Sequence, residues 1–312
     1  MKKLSLFSTI CFLIFTSVYL YSQISSFLSW GVSSKSLGMG RAHTAVCEDG
    51  SSIFYNPSVL AKVKEFEFLG NYNIFYADSG YSYISFISPT IYGSFGLAIQ
   101  NLATGDILQR DSSGKVVGSF DTRITGIYFS FGSNLFSVIE TLKFADFIDL
   151  YNGFNVKIIS EKIYNKESGA LSLDLSSQIE FDFGFYNFLF GMNLGNIISS
   201  PLKFYEEESI PFIARIGFGL LMFDKTLKLA SDIVLSKQIN DTNIGIEYTI
   251  WNLLSLRAGS SNEEITLGFS ITRQNLQFSY AFLINKPWEK IDLGYIHSLD
   301  FKIRWTIKKK KS

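Results

Sequence analysis

Eight ionisable side chains invite a chemical reading: Asp174, Arg215, Asp232, Glu247, Arg257, Asp292, Asp300 and Arg304. Gathered in one cavity, carboxylates and guanidiniums could move protons, hold a charged ligand, or simply neutralise one another. The rest of the catalytic repertoire is thin. Neither of the two histidines, His43 and His297, lies near a serine or cysteine nucleophile signal, so a hydrolase triad is not expected. Cys11 and Cys47 suggest neither a disulfide framework nor a zinc site, and Cys47 reads as a small buried filler. Gly38-Met39-Gly40 imitates part of a phosphate loop, but it follows no strand and no Lys-Ser pair completes it. No enzymatic activity, metal or cofactor is expected. The eight charges read as partners sharing an interior.

What could bring them together is visible at residues 291–305, IDLGYIHSLDFKIRW. Ile291, Leu293, Tyr295, His297, Leu299, Phe301, Ile303 and Trp305 take the odd positions, while Asp292, Asp300 and Arg304 fall on even ones. Successive strand residues point to opposite faces, so this is a strand with one oily and one wet face. It exceeds the roughly 5–6 residues of an ordinary strand and suits a tilted bilayer crossing of about 9–11. The same alternation sets Asp174 between Leu173 and Leu175, Arg215 between Ala214 and Ile216, and Glu247 between Ile246 and Tyr248. From residue 65 the pattern predicts about fourteen strands, an even number as in bacterial outer-membrane barrels. Their spans are 65–76, 81–88, 92–101, 120–133, 150–164, 169–181, 184–195, 211–223, 226–236, 242–250, 253–261, 265–272, 276–284 and 291–305. The expected fold is all-β, a transmembrane antiparallel β-barrel with its charged face towards the lumen. Ile124, Tyr128, Ile213, Leu221, Val234 and Ile296 fall on that face too, which makes the lining mixed. His297 is the awkward member of the oily face and reads as an imidazole near the headgroups.

Composition agrees. The chain has 312 residues, is 16% aromatic and only 18% charged, below the roughly 25% of soluble domains. Lysine plus arginine equals aspartate plus glutamate at 28 each, which argues against a nucleic-acid partner. Residues 1–22, two lysines followed by an uncharged apolar run, have the layout of a secretory signal peptide cut near Ser22–Gln23; an uncleaved anchor is the other reading. The uncharged run 183–202 is interrupted by glycines and asparagines and reads as a strand plus loop rather than a spanning helix. An exported oily chain without spanning helices is left with a closed barrel.

Connections after the sixth, eighth, tenth and twelfth strands are very short, whereas residues 102–119 and 196–210 are long. Short periplasmic turns and longer outer loops put both chain ends in the periplasm. Residues 134–149 are too long for such a turn. There Leu135, Val138, Ile139, Leu142 and Ala145 recur at helical spacing, which predicts a short amphipathic helix at the rim. The tail, 306–312, reads as basic and periplasmic, either solvated or touching anionic headgroups.

Residues 23–62 do not alternate and read as an N-terminal plug preceding a barrel at 63–305. The stretch SKSLGMGRAHTAVCEDGSSIFYNPSVLA resembles the N-terminal signature of the PorV/PorQ family of outer-membrane proteins, related to FadL-type fatty-acid channels. Gly38, Met39, Gly40, Asp49, Asn56 and Pro57 carry the resemblance, and Leu293, Gly294, His297, Ser298 and Leu299 extend it to the last strand. Arg41, His43 and Ser58-Val59 depart from the signature. The resemblance implies a plugged fourteen-stranded barrel in the outer membrane, with lipid and the barrel-assembly machinery as partners. Asn56-Pro57 is a rigid corner by its own chemistry, or a hinge that lets the plug shift. Three functions remain open: a passive channel for hydrophobic or amphipathic small molecules, a type IX secretion component that handles secreted proteins, and a structural barrel.

Overall fold

A computed structural model describes residues 23–75, 79–135, 145–204, 207–237, 240–286 and 295–306. Its strands are β1 (Phe66–Ile74), β2 (Ser79–Pro89), β3 (Ser94–Arg110), β4 (Val116–Asn134), β5 (Ile148–Ile163), β6 (Lys166–Asp182), β7 (Tyr186–Ser199), β8 (Leu202–Lys203), β9 (Glu207–Glu208), β10 (Ile213–Met222), β11 (Leu227–Ser236), β12 (Asn240–Ile250), β13 (Leu254–Ser260), β14 (Glu264–Arg273), β15 (Leu276–Asn285) and β16 (Tyr295–Trp305). Fourteen of them close into one antiparallel barrel, while β8 and β9 pair only with each other. The closing seam joins first to last, from Phe66 opposite Trp305 to Ile74 opposite His297.

Two-residue periodicity is what builds this wall. Along β16, Ser298, Asp300 and Lys302 are buried, while Leu299 and Phe301 are exposed. A closed ring leaves no ladder edge unpaired, so an apolar exterior needs no water. The odd face of β16 is unbroken for that reason. His297 is accommodated by a 2.7 Å contact from Nδ1 to the Tyr280 hydroxyl and by the ring of Phe282. The expected result for Leu299→Arg, midway along β16, is a loss of about 2–4 kcal/mol in lipid, whereas Tyr295→Arg at the strand end costs about 0–1. Reversible urea unfolding into vesicles reads both.

Four expectations are corrected or fall outside the described residues. Residues 102–119 are not an open loop. They extend β3 and β4 into a ribbon that turns at residues 111–115, with Ile107 paired to Phe120. Both faces of this ribbon are largely exposed, so it carries no alternation that a sequence reading could find. The long 196–210 connection holds the small β8–β9 ladder. The helix predicted over 134–149 falls mostly on 136–144, outside the described residues, as do Ile291 to Gly294 and therefore Asp292.

Inside the barrel runs the N-terminal segment. It forms α1 (Gln23–Ser29), α2 (Ser34–Gly38), α3 (Ser52–Tyr55) and a 3-10 turn over Pro57–Lys62. Ser33 caps α2 by accepting from the Ser36 amide. Ile24, Phe27, Val32, Leu37, Met39, Ile53 and Leu60 are fully shielded. It packs partly on itself, as where the Tyr55 hydroxyl donates to Ser36, and partly on inward-facing residues of the wall.

Candidate functional site: a clamped inner segment and the cavity beside it

A chain threaded through a barrel presents many backbone groups that the wall must satisfy. Inward-facing side chains do this one by one. Asp300 accepts from the Ser34 amide at 2.9 and 2.8 Å and from its hydroxyl at 2.9 Å. Oδ2 of Asp232 accepts from the His43 and Thr44 amides at 2.9 and 2.8 Å. The Asn155 amide donates to the Ile53 carbonyl at 2.8 Å, the Tyr83 hydroxyl to the Gly50 carbonyl at 2.7 Å, and Arg215 Nη2 to the Leu28 carbonyl at 2.6 Å.

Charges form a second set of clamps. Lys35 meets Glu48 at 2.5 Å, Glu48 meets Lys228 at 2.7 Å, Lys228 meets Glu247 at 3.1 Å, and Glu247 meets Arg257 at 2.5 Å. This ladder passes from segment to wall. Lys302 lies 3.5 Å from Asp49, Arg304 pairs with Glu67 at 2.5 Å, and Arg41 pairs with Glu264 at 2.7 Å. Glu48 is half-exposed, and Lys228 and Lys35 hold its carboxyl well below the usual range. Burial opposes ionisation of Asp49, but Lys302 and Lys35 prevail and its carboxyl is also held down. His43 is different: burial pushes its imidazole down to about 3, so it is neutral.

Close approach is the third device. A Cβ on Gly259 would lie 2.2 Å from the Gly40 nitrogen, one on Gly245 2.3 Å from the Met39 oxygen, and one on Gly153 2.5 Å from the Ser58 nitrogen. At these three places the wall presents glycine because the segment's backbone lies directly against it.

Of the eight charges read from the sequence, seven lie within the described residues, and all seven face the lumen. They do not form one cluster. Glu247 and Arg257 belong to the ladder, Asp232, Asp300 and Arg215 hold backbone, Arg304 pairs with Glu67, and Asp174 pairs with Lys157 at 2.6 Å. Sequence reasoning missed Lys157, Lys228 and Glu67, although each sits on the polar side of an alternating run. It also missed Lys35, Arg41 and Glu48, which lie in the segment without periodicity. Asn56 makes the corner expected of it: its side chain accepts from the Ser58 hydroxyl at 2.6 Å and donates to the Thr44 carbonyl at 3.0 Å, while Pro57 opens the 3-10 turn. Cys47 is a buried free thiol.

At the barrel end opposite Trp305 lies a cavity of about 400 Å³. Its apolar lining comes from Phe27, Trp30, Phe75, Tyr81, Leu102 and Ile296. Its polar lining comes from Arg41, Arg215, Asp232, Asp241, Asn243 and Glu263. Arg41 stacks over the Trp30 ring at 4.4 Å. Among the described residues no group of three or more metal-ligating side chains occurs.

No family model and no curated protein matches the chain. Its fold is similar to that of the Ralstonia pickettii toluene transporter TbuX, with a TM-score of 0.55 and 12% identity over 88% of this chain and 98% of that one. The Pseudomonas putida toluene transporter TodX is similar with a TM-score of 0.58 and 11% identity, over 88% and 97%. At these identities the likeness is one of fold.

Proposed function

We propose that this protein is an outer-membrane channel for hydrophobic or amphipathic small molecules, with residues 23–62 as a plug and no enzymatic activity of its own. The cavity carries this reading. It is the size of a small-ligand site, mostly apolar, and lined by barrel wall and plug together. The oily exterior suits the outer membrane, and the likeness in fold to two toluene transporters lends support. An exported precursor with a cleaved leader and assembly by the barrel-inserting machinery belong to the same proposal.

The test is uptake of labelled toluene by bacteria that lack such a channel and express this one. Uptake is expected to rise severalfold over cells with an empty vector. Val234→Trp, which fills the cavity from the wall, is expected to return it towards the vector level while the barrel still migrates as a folded species before heating. Equal uptake with and without the protein ends the proposal.

A second reading, a PorV-like role in handling secreted proteins, draws on the ribbon of β3 and β4. Among the described residues the ladders that pair its edges to β2 and β5 end at Thr104 and Thr122, and a ribbon edge beyond them is the geometry that strand addition uses. Photocrosslinkers at Val117 that capture an exported protein would favour it.

A further inference from the structure

Large apolar side chains crowd the turns at the barrel end that carries Trp305. Trp251 is 91% exposed, Ile91 86%, Phe185 77% and Phe223 68%. They stand in four separate turns, β12–β13, β2–β3, β6–β7 and β10–β11 respectively. Gly, Asn, Asp and Ser usually fill such positions. Backbone geometry makes two of these choices costly. Phe223 has φ +54° and Trp251 +52°, and the residues behind them, Asp224 and Asn252, both have +54°. That is the left-handed region, which suits Gly, Asn and Asp and is unusual for a bulky ring. With so much of its surface bare, the Trp251 ring finds little protein to offset the cost.

Strand length supplies a second reason. The outward apolar band of a membrane barrel is about 25 Å tall, on strands tilted by about 40°. On β12 the outward apolar set runs only from Ile244 to Ile250, because Thr242 and Asn240 lie beyond it. At ~3.3 Å per residue and that tilt it covers only ~15 Å. On β3 the set runs from Phe95 to Ile99, with Asn101 beyond, and covers only ~10 Å. The missing height falls where the next turns stand, with Trp251 and Leu253 on one and Ile91 and Tyr92 on the other. Ring contacts join turn to wall. Phe188 on β7 lies 6.2 Å from Phe181, Phe181 stacks on Phe183 at 6.4 Å, and Phe183 lies 4.9 Å from Tyr186. The outward apolar surface therefore continues past the strand ends.

We propose that these four turns are a membrane-docking surface, whose rings sit among the phospholipid headgroups and upper acyl chains of the adjoining leaflet. Indole and phenol rings favour that zone, where an apolar face and a polar edge are both accommodated. The turns are spread round the rim from β13 to β2 rather than gathered on one side. That spacing suits a leaflet that encircles the barrel better than a protein that touches one flank. The β14–β15 turn, with Arg273, Gln274 and Asn275, departs from the pattern and faces water. The assignment rests on the outer-membrane reading above and is independent of the channel.

The test isolates Trp251 by subtracting the fluorescence of Trp251→Phe from that of the native protein, both folded in phospholipid vesicles. Lipids brominated close to the headgroup are expected to quench about half of the Trp251 emission, lipids brominated at the chain end clearly less, and aqueous acrylamide little. Leu299→Trp, midway along β16, is the depth reference, and its added emission is expected to be quenched most by chain-end bromines. Trp251 emission that is untouched by bromine and open to acrylamide overturns the docking surface and leaves the turns to water or a periplasmic protein. Strongest quenching by chain-end bromines overturns the headgroup placement. If the added emission of Leu299→Trp is also untouched by bromine, the outer-membrane reading falls as well.

Discussion

Glu247→Ala is expected to lower the unfolding free energy by about 3–5 kcal/mol, the cost of leaving buried charges without their partner. Glu247 holds Lys228 at 3.1 Å and Arg257 at 2.5 Å, and all three are almost fully shielded. Removing the carboxylate strands two cations in a low-dielectric interior. Lys228 retains only Glu48, and Glu48 is already shared with Lys35. Glu247→Gln keeps shape and one acceptor, so its loss is expected to be intermediate. Lys203 and Glu207 pair at 3.6 Å on the exposed connection, and Lys203→Ala there is expected to fall within experimental noise. Urea midpoints in vesicles measure all three, and a Glu247→Ala midpoint equal to that of Lys203→Ala would falsify the buried-ladder account.

Gly259→Val is expected to unseat the inner segment without opening the barrel. Any Cβ at this position would sit 2.2 Å from both the Gly40 nitrogen and the Met39 carbonyl carbon, which are backbone atoms and cannot rotate aside. Overpacking costs about 1–3 kcal/mol where side chains can yield, and more where they cannot. Gly40 also has φ +63°, so its backbone is confined to a conformation that few residues adopt. The strand itself keeps its pairing with β12 and β14. Lys35 and Arg41 are buried in the native protein, so trypsin should spare them there and cut the variant at least tenfold faster. Gly118→Val is the control, because a Cβ there comes no closer than 3.6 Å to the end of Gln109. Equal cleavage of the two variants would mean that the contact with Gly40 does not hold the segment.

How much of this could be read beforehand depends on where lipid acts. Hydrocarbon outside the wall forbids polar outward residues, and that prohibition wrote the alternation into β16, β14 and β10. Strand number and lumen face were therefore legible, including Asp232, Glu247 and Asp300. Where lipid is absent the signal lapsed. The ribbon of β3 and β4 has water on both faces and looked like a loop. The inner segment meets wall on every side, so it shows no period, and its Lys35, Arg41 and Glu48 could not be assigned partners. One clue was present but unused. Gly217, Gly245 and Gly268 each stand between two apolar residues of an alternating run, and inward-facing glycines mark a surface against which another chain lies. The cavity could not be foreseen, because Trp30 and Val234 lie far apart in sequence and only the closed ring brings them together.

The clamps also impose an order of events. Ser34 waits for Asp300, Asp49 for Lys302, Gly40 for Thr266 and Thr44 for Asp232, partners 188 to 266 residues later in the chain. During synthesis Ser34, Gly40, Thr44 and Asp49 thus emerge before these wall partners exist. Ser34 and Asp49 stay without theirs until the final strand arrives, which is the same strand that zips against β1. Threading and closure are consequently a single late step, and residues 34–49 are among the last to find their place.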